Sequence, residues 1–132
     1  EIVKSLSEVH LNYLSLIFLC KQTKMNDINS IESLKEHCEY ICAKMPVTNG
    51  IESSIPFLHM LRLLTISLGS AAEVYSEQYN LDIDKVKEIL PLAMNSIPGD
   101  YSLTPVGIII AIINIRNKTN LNLEFKIWIK SI

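Results

Sequence analysis

A chain of 132 residues, 48% hydrophobic and 20% charged, carries enough apolar material for one generous core and needs neither disulfide nor metal to hold it. Its formal net charge of −2 gives no global pull toward nucleic acid or an anionic membrane. The longest apolar run, Val106 to Ile113, falls well short of the ~20 residues of a spanning helix, so a soluble protein without a membrane span is expected.

Three cysteines, Cys20, Cys38 and Cys42, are an odd number in a chain that needs no stapling, and reduced thiols in a cytoplasm, a host cytoplasm included, are the expectation. The richness in isoleucine and asparagine fits an AT-rich genome, hence a viral or bacterial source. The absence of an initiating Met suggests an excised domain.

From Ile2 to Cys20 the apolar positions Ile2, Val3, Leu6, Val9, Tyr13, Leu14, Ile17 and Phe18 recur at steps of three and four, which predicts an amphipathic helix. A polar connection, Lys21 to Asn29, separates it from a second helix. Asn29 and Glu32 offer that helix a capping box, Ile31, Leu34, Cys38, Ile41, Cys42 and Met45 a buried stripe, and Pro46 with Asn49-Gly50 a stop.

The stretch from Ser54 to Tyr79 is apolar on nearly every side through its first half, which predicts a buried central helix over 54–79, weakened at Gly69-Ser70. Ser53 or Ser54 would cap it, and Ser70 to Glu73 is a capping box of its own. His59, Arg62 and Thr65 form a polar line along it at i, i+3 and i+6. Arg62 would either pair with an acid across the core or line a groove that receives a partner.

Leu81 to Asp84 reads as a connection and a cap, and Val86 to Met94 as a helix that Pro91 kinks or divides at Leu90. Ile97-Pro98-Gly99-Asp100 predicts a turn. Thr104-Pro105 supplies a cap and a first-turn proline for VGIIIAIINIR, whose β-branched density argues instead for strand. The caps favour helix. After Asn122 the residues fit a strand through Leu121, Leu123, Phe125, Ile127 and Ile129, or a helix through Leu121, Phe125, Trp128 and Ile132, so a C-terminal strand or hairpin is the alternative.

These elements predict one all-α domain over 1–132, a bundle of about six helices around the central one. Catalytic and cofactor signatures are missing. No Gly-x-Ser-x-Gly surrounds a serine, the four glycines are too dispersed for a phosphate loop, and Cys38 and Cys42 fall on the core stripe. No stretch resembles a family closely enough to transfer a residue.

The expected function is therefore a non-enzymatic interaction domain without a cofactor, binding another protein or a second copy through an apolar face or groove at His59, Arg62 and Thr65. A second expectation is a helical domain of a viral nucleoprotein or polymerase cofactor. It would hold RNA through Arg116, Lys118, Lys126, Trp128 and Lys130, where cations and rings interleave. A third is a small enzyme with a dispersed active site.

Overall fold

The computed structural model describes residues 6–97 and 99–121. Its elements are α1 (Glu8–Lys21), α2 (Ile31–Lys44), a 3-10 turn (Ile51–Ser54), α3 (Ile55–Met60), β1 (Leu64–Ile66), α4 (Ala71–Tyr79), α5 (Ile83–Ile89), α6 (Leu92–Asn95), β2 (Tyr101–Leu103) and α7 (Pro105–Lys118). The all-α bundle expected from the sequence is what forms, with one short antiparallel strand pair added to it. No helix among the described residues is long and apolar enough to cross a membrane.

The molecule is organised around α1. Ser7 accepts from the backbone N–H of His10, and His10 Nδ1 accepts from Ser7 N–H, closing a capping box. Every residue from Asn12 to Lys21 is then buried, so the amphipathic stripe read from the sequence understates this helix, which is covered on all sides in its second half. α7 lies along it, and β2, α4 and the 3-10 turn cover its remaining faces. α2 closes the other flank against α5 and α6.

Polar groups set the register of α1 against α7. The buried Asn114 amide donates to Asn12 Oδ1 at 3.1 Å and Ser15 Oγ at 2.9 Å, while Asn12 Nδ2 donates to the Pro46 carbonyl at 2.8 Å. Buried amides survive only when satisfied. These are.

The expected buried helix over 54–79 is corrected by the structure. It divides into the end of the 3-10 turn, α3, β1 and α4, because Arg62 takes a left-handed φ of 61° and Gly69 a φ of 111°. The first break is a Schellman ending: Leu63 N–H bonds the Leu58 carbonyl at 3.1 Å and Arg62 N–H the His59 carbonyl at 2.9 Å. Leu58 and Leu63, both fully buried in the core cluster, stand at the two positions whose hydrophobic contact typically accompanies that motif. β1 then pairs with β2 in the register Leu64 to Leu103, Thr65 to Ser102 and Ile66 to Tyr101.

Thr104 caps α7 by accepting from Gly107 N–H, with Pro105 in the first turn, so the residues 105–118 are helix as the caps indicated. The helix-or-strand alternative for the tail falls on residues 122–132, outside the described residues.

Candidate functional site

His59, Arg62 and Thr65 are all exposed, and they lie at a corner where α3 gives way to β1 rather than along a helix. Short α3 is anchored by the buried Leu58, and its Schellman ending turns the chain outward at Arg62. The Arg62 carbonyl accepts from Thr104 Oγ1 at 2.8 Å and the Leu63 carbonyl from Thr104 N–H at 3.0 Å, which fastens the corner to the start of α7. His59 rests its ring on Tyr101 of β2, centroids 5.4 Å apart and tilted by 57°. The expectation of a guanidinium paired across the core is corrected: Arg62 lies outside it.

Around these polar residues stand large apolar side chains in water: Met60 is 70% exposed, Ile66 75% and Leu68 84%. Leu63 O and Ser67 N–H bond toward β2, so by alternation the backbone groups of Leu64 and Ile66 point away from it. Behind the corner the buried Lys21 ammonium donates to the carbonyls of Ser67 at 3.3 Å and Gly99 at 3.4 Å, pinning the loop after β1 to the turn before β2. Burial lowers the Lys21 pKa.

Of the residues expected to meet RNA, Arg116 is exposed on α7. Lys118 is engaged, 2.7 Å from Glu8 and 3.2 Å from Asn12 Oδ1. Lys126, Trp128 and Lys130 lie outside the described residues.

One histidine approaches a hydroxyl, a pairing the sequence does not announce because 44 positions separate the two residues. His10 Nε2 lies 3.2 Å from Ser54 Oγ. Nδ1 of the same ring accepts from Ser7 N–H, so the neutral imidazole carries its proton on Nε2 and donates it to Ser54. A base must accept there. Ser54 makes no side-chain cap to α3, against expectation, and the contact joins α1 to the 3-10 turn.

Cys38 is buried and Cys42 half-buried, as their place on the core stripe indicated. Burial pushes their thiols up to about 12 and about 11. No group of three or more His, Cys, Asp or Glu among the described residues is placed to hold a metal ion. An open groove between the residues 47–52 and α6 has Glu52 as the single ionisable side chain in its lining.

With the geometry in view, the chain belongs to a protein family of unknown function, whose model matches residues 1–95 and 83–129. Comparison with curated proteins and with solved structures finds no match.

Proposed function

We propose that this protein is a non-enzymatic helical interaction domain that receives a partner protein at the corner built by the end of α3, β1 and the loop after it. The observation that carries the reading is the exposure of Met60, Ile66 and Leu68 beside His59, Arg62 and Thr65. Apolar side chains grouped at a surface and rimmed by polar ones are characteristic of a face that is covered in use.

Backbone strain supports the same reading. At φ 61° a non-glycine residue costs about 1–2 kcal/mol relative to its right-handed conformation, and the chain holds an arginine there. Strained positions that keep a large side chain cluster at binding sites. A cation flanked by Met60 and Ile66 suits a partner segment that is apolar and carries an acid to meet Arg62.

The test is site-directed photo-crosslinking in the native cellular background, with the reactive residue at Met60 or Ile66 and a control at the exposed Glu36 of α2. One partner should be captured from 60 and 66 but not from 36, and R62E should abolish the capture. Equal capture from all three positions, or capture indifferent to R62E, refutes the assignment.

A further inference from the structure

The two strands form a sheet with unlike edges. On the outer side of β2 the side-chain amide of Gln22, just past the end of α1, takes the place of a further strand. Leu103 N–H donates to its Oε1 at 2.7 Å, and its Nε2 donates to the Leu103 carbonyl at 3.1 Å. On the outer side of β1 the backbone of Ile66 points away from β2, and among the described residues nothing bonds its N–H or its carbonyl. Neither a proline nor a charged side chain guards Leu64–Ile66, as natural sheets guard an edge that is kept from pairing.

We propose that this edge accepts an extended segment of the partner protein as a third strand beside β1. The proposal rests on the partner reading above and names the form in which the partner binds.

Burial decides the form. Ile66 is 75% exposed, so its backbone groups are open to solvent while the edge is free. A partner that covers Ile66 excludes that solvent, and an N–H or carbonyl covered without a bond is destabilising. A helix spends its own N–H and carbonyl groups internally and has none to offer along its side. An extended chain presents both on one side at every second residue, which is the spacing of Leu64 and Ile66.

Charge fixes the composition. Arg62 stands exposed before β1, while at the other end Ser67 N–H is bonded to the carbonyl of Asp100, itself exposed. An acid at the Arg62 end of the added strand meets a cation; the same acid at the other end meets Asp100. Between the ends, apolar side chains on the face of Ile66 suit its exposure. Lys21, by holding the Ser67 and Gly99 carbonyls together, sets the edge in place before anything binds.

The test uses the full 132-residue chain and a defined probe: short capped peptides of alternating valine and threonine, with one aspartate at the first or the last position. Hydrogen exchange followed by NMR should show the Ile66 amide unprotected in the free protein and protected once the peptide binds. Methylating one alternate set of peptide amides should weaken binding about tenfold, and methylating the other set should leave it unchanged, since only one side of the peptide faces β1. R62E should weaken binding severalfold. I66P, whose ring removes only an N–H that faces away from β2, should weaken it more than I66A does. If I66P unfolds by circular dichroism, the methylated peptides decide alone.

An Ile66 amide already protected in the free chain overturns the proposal, and protection that grows with protein concentration does so by giving the edge to a second copy. Peptides that do not bind, or whose binding falls equally with either methylated set, overturn it too. Crosslinked capture at 60 and 66 that survives I66P keeps the partner and refutes the strand, whereas no capture in the unmodified protein refutes the partner reading itself.

Discussion

Gly107 is where the corner bearing Arg62 meets α7, and replacing it by alanine tests that joint. A β-carbon there would stand 2.5 Å from the Leu63 carbonyl oxygen and 3.2 Å from Leu103 Cβ. The first distance is inside any van der Waals contact, and the obstacle is backbone. Leu63 cannot retreat freely, since its carbonyl accepts from Thr104 N–H and its side chain is fully buried. Overpacking of this kind costs about 1–3 kcal/mol, and weakening the Thr104 bond about 1 more. Alanine returns about 1 kcal/mol through its better helix propensity.

The net loss for G107A is therefore about 1–3 kcal/mol, or roughly 3–12 °C in Tm for a domain of this size. Urea unfolding followed by circular dichroism measures it. If G107A equals or exceeds the parent protein in stability, propensity alone governs the site and the close approach of α7 to Leu63 is refuted.

Other outcomes follow from the same contacts. R62G relieves the left-handed strain but gives glycine more freedom to lose, so it should stabilise by up to about 1 kcal/mol while abolishing partner capture; a loss of stability would refute the strain argument. N114A removes the two bonds its amide donates to Asn12 and Ser15, which keep their bonds to Lys118, Pro46 and Leu11, and should cost about 1–3 kcal/mol by urea titration. With their pKa values pushed up to about 12 and about 11, Cys38 and Cys42 should react with iodoacetamide at pH 8 far more slowly in the native protein than in denaturant, and comparable rates would contradict their burial. Burial lowers the pKa of the half-buried His37, so the unfolded chain takes the proton first. The stability this residue contributes is complete above about pH 6.5 and is lost as pH falls from there through the lower folded value. The urea midpoint should drop between pH 7.5 and 5.5, and H37Q should reduce that drop.

Local chemistry was legible wherever one residue type has one geometric use. Ser70 with Glu73 closes a capping box, Asp82 caps α5, Pro91 divides the helical pattern after Leu90, and Thr104-Pro105 opens α7 despite its isoleucines. At α2 the cap falls one residue later than the Asn29 and Glu32 pair suggests, since Ser30 and Ser33 bond reciprocally.

The region from 54 to 79 was not legible, and the reason is physical. Leu61, Leu63 and Leu64 satisfy a helix period as well as a strand run, and β1 finds its partner at Thr65 to Ser102, across far more chain than any periodicity window spans. Nor does an arginine advertise a positive φ, as a glycine would. His59, Arg62 and Thr65 were thus expected along one helix, whereas Thr65 lies on β1 and Arg62 in the left-handed break before it.

The amides between α1 and α7 have a further consequence. Two rods faced only with leucine and isoleucine can slide past each other by a turn at little cost, because one aliphatic contact serves as well as the next. Asn114 acts as a detent: a one-turn slip would carry its amide off Asn12 and Ser15 and leave it facing hydrocarbon. Swapping the three for aliphatic residues of similar bulk would thus preserve much of the stability while freeing the glide, giving a protein that melts normally but holds no single alignment.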